Sequence, residues 1–396
     1  VDIEYVLEEK PSDQIELSGG WGGGRIVGSL GVSFNNFSAK NMFRKGAWRP
    51  LPAGDGQRLS LRAQSTGVGY QSYSMSFTEP WLGGRKPNSL SVSLSHISQS
   101  NTFGDADQSF KSYGAAVGLG RRLKFPDDYF TLYNEVSYQY YVIENYTVLQ
   151  NFSNGFANNL SFKHVLSRSS AGPSPIYPTT GSTTTLTLKH TLPYSWVRFA
   201  DQNYADLSTQ DKNKFVEYHK WKFQTSWFSK LTHGKRALVL NTKAGFGYLG
   251  SFNNQLGTSP FERFYLGGDG LSGVNQFVAT EVIALRGFGS GDLSPGTGAT
   301  FINKYTAEMR YPFSLNPSAT IYGLVFGEAG NSWGSFDKVN PFDVYKSAGV
   351  GIRIFMPMFG LLGLDWGYRF DEIPGRTDPT NKTEIHFSIG GNINGW

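Results

Sequence analysis

The chain has 396 residues, no cysteine, 48 glycines, 15% aromatic residues and 17% charged residues, the last against about 25% in an ordinary soluble domain. So many aromatics with so little charge exclude a disordered chain, and the lack of Cys excludes disulfide scaffolds, thiolate metal sites and Cys nucleophiles. The net charge of +5 is spread along the chain without the basic stripe that nucleic-acid binding wants, and no run of 18 or more apolar residues offers a transmembrane helix.

The first residues, Val1 to Lys10, begin in mid-strand with no signal peptide, so the chain is expected to be a mature fragment of a longer protein. Beyond them, period-two alternation recurs almost everywhere. Arg58, Ser60, Arg62 and Gln64 interleave with Leu59, Leu61 and Ala63. Ser72, Ser74, Ser76 and Thr78 interleave with Tyr73, Met75 and Phe77, and Ser91, Ser93 and Ser95 with Leu90, Val92 and Leu94. Near the end, Leu362, Leu364, Trp366, Tyr368 and Phe370 interleave with Gly363, Asp365, Gly367 and Arg369. Successive strand side chains point to opposite faces, so each segment has one apolar face and one polar face.

A soluble sandwich makes the same pattern with its apolar face inward. Here the apolar faces carry many Tyr and Trp, which favours a wall that is apolar toward lipid and polar toward a lumen. No fixed-length repeat supports a propeller. Sixteen strands are predicted, at 14–21, 26–37, 56–67, 70–79, 88–99, 109–121, 130–143, 156–167, 181–192, 217–230, 235–249, 301–312, 319–331, 344–356, 359–371 and 383–393. The even number and the strand lengths fit an all-β, 16-stranded antiparallel transmembrane β-barrel of the outer membrane over residues 11–396. Convincing helical periodicity is absent.

The connections alternate in length. Residues 231–234, 312–318 and 357–358 read as short turns, and 193–216, 250–300, 332–343 and 372–382 as longer loops, the asymmetry expected of periplasmic and outer sides. The connection 38–55 carries Lys40, Arg44, Lys45 and Arg49 beside Trp48 and reads as a basic turn at the inner interface. A search for chemistry finds little. His96, His164, His190, His219, His233 and His386 do not fall at metal-ligand spacing, and the Gly-rich stretches lack the Gly-Lys-Ser/Thr of a phosphate loop. Gly270-Leu271-Ser272-Gly273-Val274 has Val where a nucleophile elbow needs Gly. No enzyme activity, metal or cofactor is therefore expected.

The 250–300 connection stands out, because loops longer than about 15 residues are usually functional or disordered and this one is rich in apolar residues. It is expected to fold back into the lumen, since an exposed apolar loop would be costly. Its segment Phe264-Tyr265-Leu266-Gly267-Gly268, followed by Leu285-Arg286-Gly287-Phe288, resembles the Omp85 superfamily. Similar resemblances lie at Glu79-Pro80-Trp81-Leu82, Ala307-Glu308-Met309-Arg310-Tyr311-Pro312, Phe326-Gly327-Glu328-Ala329-Gly330-Asn331-Ser332-Trp333, Ser347-Ala348-Gly349-Val350-Gly351 and Met356-Pro357-Met358-Phe359-Gly360. Val1 to Lys10 resembles the last strand of a periplasmic POTRA domain, so residues 1–10 read as the end of a truncated one. In that family a long sixth extracellular loop carries an Arg-Gly-Phe motif, here Arg286, Gly287 and Phe288, and folds into the lumen. The resemblance pairs Arg286 with acids on the inner wall, Glu308 and Glu328. Alternation puts Glu308 on the polar face, whereas Leu324 and Phe326 share the parity of Glu328. Gly270 to Leu285 is longer than the family's usual link, and Gly390 to Gly395 intervene before Trp396, where relatives end on a terminal aromatic.

The resemblance implies assembly of outer-membrane proteins. Unfolded outer-membrane proteins would be the substrates, with outer-membrane lipids, lipopolysaccharide and accessory lipoproteins as partners. A strand edge is a template for another strand, and Gly weakens strands. The seam between the first and last strands is therefore expected to act as a lateral gate, with Ile15, Leu17, Gly19, Phe387, Ile389 and Gly390 as its residues. Two other functions share the pattern: a protein-translocating pore of the two-partner-secretion or autotransporter-assembly type, and a passive porin.

Overall fold

A sheet with one lipid-facing and one polar face still has two edges, and only closure on itself removes them. The computed structural model of the chain closes in this way. It describes residues 13–22, 25–48, 51–66, 69–103, 106–146, 149, 152–197, 203–268, 279–356, 360–376 and 382–389. Val1 to Lys10, most of the Gly270 to Leu285 stretch, Arg49, Gly390 and Trp396 lie outside the described residues.

Sixteen long strands form the wall. They are β1 (Gln14–Gly22), β2 (Arg25–Phe37), β3 (Gln57–Ser65), β4 (Tyr70–Glu79), β5 (Asn88–Phe103), β6 (Ala106–Arg122), β7 (Phe130–Glu144) and β8 (Gly155–Ser169). The second half comprises β9 (Pro178–Thr191), β10 (His219–Lys230), β11 (Val239–Gly250), β12 (Phe301–Asn316), β13 (Ala319–Trp333), β14 (Tyr345–Met356), β15 (Gly360–Arg369) and β16 (Thr383–Ile389). Each pairs antiparallel with its chain neighbours, and β16 returns to pair with β1 through Gly19–Ile389, Gly20–Ser388 and Trp21–Phe387.

The two faces separate as the alternation demands. On β12, Met309, Tyr311 and Phe313 are about half exposed on the outside, while Lys304, Thr306, Glu308 and Arg310 are buried within. On β10, Trp221 and Trp227 both face outward. They are six residues apart, which spans roughly 20 Å along a strand, a spacing suited to the two interfacial aromatic bands of a membrane barrel.

Three local expectations are corrected. β12 does not stop at Pro312; it continues to Asn316 through a register shift between Pro312 and Ser314. Proline has no N–H to donate, so the ladder takes a bulge at that point and then resumes, and the turn shrinks to residues 317–318. Two short helices, Tyr194–Val197 and Thr209–Asn213, sit in the loop between β9 and β10. The second is capped by Ser208, whose Oγ accepts from the Asp211 N–H at 3.2 Å, a local signal too short to show as helical periodicity. A third correction concerns β13, where Leu324, Phe326 and Glu328 all face inward and are buried. The inner wall there is covered by protein: Phe326 lies under Arg286 of the long loop, and Leu324 packs with Tyr177, Val239 and Tyr322.

Candidate functional site: the loop clamped inside the barrel

The segment between β11 and β12 enters the lumen and brings its own small core. Phe264–Leu266 and Glu281–Ile283 pair as a parallel two-stranded ladder, tied on its other side by reciprocal hydrogen bonds between Phe264 and Ala299 at 2.9 and 2.8 Å. Phe261, Phe264, Leu266, Ile283, Leu285 and Phe288 are almost fully buried against wall residues such as Phe110, Tyr141, Tyr218 and Ile302. Phe261 stacks on Tyr141 with centroids 4.6 Å apart. Full burial of a side chain of this size stabilises by about 1.5–3 kcal/mol, so this cluster contributes to the attraction between loop and wall.

The structure brings Arg286 together with both Glu308 and Glu328. Arg286 Nη2 donates to Glu308 Oε1 and to Glu328 Oε1, each at 2.8 Å, and its backbone N–H donates to Glu328 Oε2 at 2.8 Å. Nη1 reaches Asp365 Oδ1 on β15 at 3.3 Å. The face of the guanidinium lies over Phe326, 3.5 Å from the ring centroid, so the inward Phe that disturbed the alternation serves as a cation–π platform. Burial works against the charge of Arg286, but Glu328, Glu308 and Asp365 outweigh it and raise its pKa further above the ordinary arginine value. The acids are shared in turn. Arg310 pairs with Glu308, Lys304 Nζ lies 3.1 Å from Glu328, and Arg353 forms a two-pronged pair with Asp365 at 3.0 and 2.8 Å.

Gly287 has φ +90, and a Cβ there would lie 3.2 Å from Ser347 Cβ and 3.3 Å from the Tyr368 carbonyl carbon. Its N–H donates to His386 Nε2 at 3.2 Å. Opposite it is Gly367, where a Cβ would approach Gly287 N to 2.6 Å. Two glycines therefore let the motif backbone lie directly on β15. Phe288 is fully buried, edge-on to Tyr345 with centroids 6.3 Å apart.

A second ionic clamp was not anticipated. Glu262 meets Lys189 and Lys220, and Glu281 meets Lys220 at 2.8 Å and Lys222 at 2.7 Å. Lys220 Nζ also lies 4.4 Å from the centroid of Phe264. Burial would raise the pKa of each loop carboxyl, yet the lysines hold both at about 2. The loop is thus fastened to β9 and β10 on one side and to β12, β13 and β15 on the other. Asp365 was legible, because Leu364 and Trp366 face outward and leave it on the polar face. The lysine clamp was not, since no local pattern marks Glu262 or Glu281 as its partners.

At the seam, Gly19 and Ile389 face each other, and Phe387 faces Trp21. Ile15 and Leu17 lie on β1 opposite Val32 and Leu30 of β2. Their partners across the seam would fall beyond Ile389, outside the described residues. Ile15 and Phe387 are exposed on the outside. Of the histidines, His96, His164, His190 and His219 are wall residues, and His386 alone reaches the motif. Among the described residues no cluster of His, Asp or Glu could hold a metal.

Fold and site together define an integral outer-membrane β-barrel with a long loop clamped in its lumen. A family model described as the Omp85 superfamily domain matches residues 53–393; the chain belongs to the Omp85 superfamily. Among solved structures it is similar to BamA from Haemophilus ducreyi lacking POTRA domains 1–3, at 17% identity, covering 96% of this chain and 70% of that one with a TM-score of 0.65. It is also similar to CdiB from Escherichia coli, at 14% identity, 97% and 63% coverage and a TM-score of 0.55. For CdiB from Acinetobacter baumannii the figures are 11%, 95% and 59%, and 0.56. The chain thus spans less than two thirds of either CdiB chain, and at such identities the likenesses speak to the fold. No curated protein matches it in sequence.

Proposed function

We propose that this barrel assembles other β-barrel proteins into the bacterial outer membrane, through lateral opening between β1 and β16. The observation that carries this reading is the seam. There the first and last wall strands, which no hairpin joins, close the barrel by main-chain pairing through Gly19–Ile389, Gly20–Ser388 and Trp21–Phe387. Every ladder hydrogen bond lost on opening can be remade with an incoming strand, because main-chain pairing carries no sequence demand. The clamped loop braces the wall opposite and beside the seam, so opening can be local. No covalent bond changes in this cycle and no cofactor takes part. The free energy comes from folding apolar strands into lipid. Unfolded outer-membrane proteins are the substrates; lipids, lipopolysaccharide and accessory lipoproteins are the proposed partners.

A second reading, a protein-translocating pore, draws support from the likeness to CdiB. Depletion of the protein in its host, followed by a profile of outer-membrane proteins, separates the two. A broad fall in many unrelated barrels is expected for an assembly factor. Loss of a single exported protein with all other barrels unchanged would overturn the assembly reading in favour of translocation.

A further inference from the structure

Below the lysine clamp the inner wall carries cations that the loop does not neutralise. Thr185, Gln224, Gly245 and Lys304 stand in register across β9, β10, β11 and β12, and Thr183, Ser226, Lys243 and Thr306 form the adjacent row. These two rows line a recess of about 120 Å³ in the lumen. No acidic side chain lines it. Lys304 is already paired with Glu328, and Glu308 with Arg286 and Arg310. Lys243 feels Arg310, Lys304 and Arg286 as well as Glu308, and among the described residues no carboxylate lies within ion-pair distance of it. Glu308, Glu328 and Asp365 are each already shared by two cations, and none of them is ion-paired with Lys243. Lys243 is partly buried, and a cation drawn part-way out of water favours a counter-charge beside it.

We infer that this recess binds one small tetrahedral oxyanion, phosphate or sulfate, between Lys243 and Lys304. Two ammonium groups supply charge-assisted donors, and Gln224 supplies an amide. Gly245 places no side chain between them. At about 120 Å³ the recess has room for such an ion. The barrel wall separates the recess from the bilayer, so a lipid headgroup is not the source. The anion balances the wall on which Arg286 docks, and its binding stabilises the docked loop by linkage. The inference does not depend on the assembly reading.

The test is calorimetric titration of the full chain in detergent micelles at low ionic strength with inorganic phosphate. One saturable site is expected, with sulfate competing for it. Lys243→Gln should weaken binding at least tenfold. Lys163→Gln, on the wall of β8 and paired with Glu135, should leave it unchanged. Heat-modifiable mobility checks that each variant folds. Phosphate should also slow proteolysis within residues 251–300 in the parent and not in Lys243→Gln. No saturable binding by the parent, equal binding by Lys243→Gln, or equal loss in Lys163→Gln would each overturn the inference.

Discussion

At the residue scale, Arg286 is what three carboxylates on three different strands have in common. Removing it leaves Glu308, Glu328 and Asp365 with fewer cations in a buried site, and breaking a buried pair in this way costs about 3–5 kcal/mol. Arg286→Ala is therefore expected to release the motif from the wall, read as faster protease cleavage between residues 251 and 300 with the barrel itself intact. Arg286→Lys should recover only part of the protection. A single ammonium cannot present the planar fork that reaches Glu308 and Asp365 together. Gly367→Ala should give a similar release while keeping every charge, because its Cβ would enter the space of the Gly287 backbone. Unchanged cleavage in both Arg286→Ala and Gly367→Ala would mean that the apolar cluster alone holds the loop. Much of this site was legible: Arg286, Glu308 and Glu328 came from the family resemblance, and parity supported Glu308. Gly367 was not singled out, because a lumen-facing glycine in a strand looks the same whether it faces water or a neighbouring backbone.

At the element scale, the wall strands could be read because lipid outside and water or polar groups inside write period two directly into the sequence. The loop could not be read in the same way. Its strands are three residues long, pair in parallel, and are separated by residues 267–280, so no local periodicity survives. What holds them is long-range, and the lysine clamp is one part that responds to pH. Glu262 and Glu281 titrate near 2 in the folded loop, below their ordinary value of 4.5. A folded pKa below the unfolded one means that stabilisation is complete above about pH 4.5 and is lost as pH falls toward 2. Hydrogen exchange of the loop amides should accordingly be flat from pH 8 to 5, after correction for intrinsic rates, and protection should fall below about 4.5. The Glu262→Gln, Glu281→Gln double variant should already show reduced protection at neutral pH and a shallower acid limb. Identical acid limbs in parent and double variant would show that the clamp does not fasten the loop.

At the scale of the whole molecule, the barrel closes where its first and last wall strands meet. β12 to β15 are joined by long ladders and covered inside by the Arg286 network, while β16 and β1 meet through Gly19–Ile389, Gly20–Ser388 and Trp21–Phe387. The alternation that located Ile15 and Ile389 could not supply this register; the structure pairs Ile389 with Gly19, four positions from Ile15. That register sets the decisive experiment, for which a chain without cysteine is a clean background. A disulfide between Gly20→Cys and Ser388→Cys would lock the seam, and one between Gly363→Cys and Ser388→Cys would lock the neighbouring β15–β16 ladder through a pair that is also in register. If substrate strands enter by pairing with β1, the first crosslink should abolish assembly of a reporter barrel in proteoliposomes, with recovery on reduction. The second should leave assembly near the parent rate, because β16 can still part from β1. Equal activity of both oxidised forms would remove the gate from the mechanism. Equal loss in both would place the required motion in β16 as a whole rather than at its free edge.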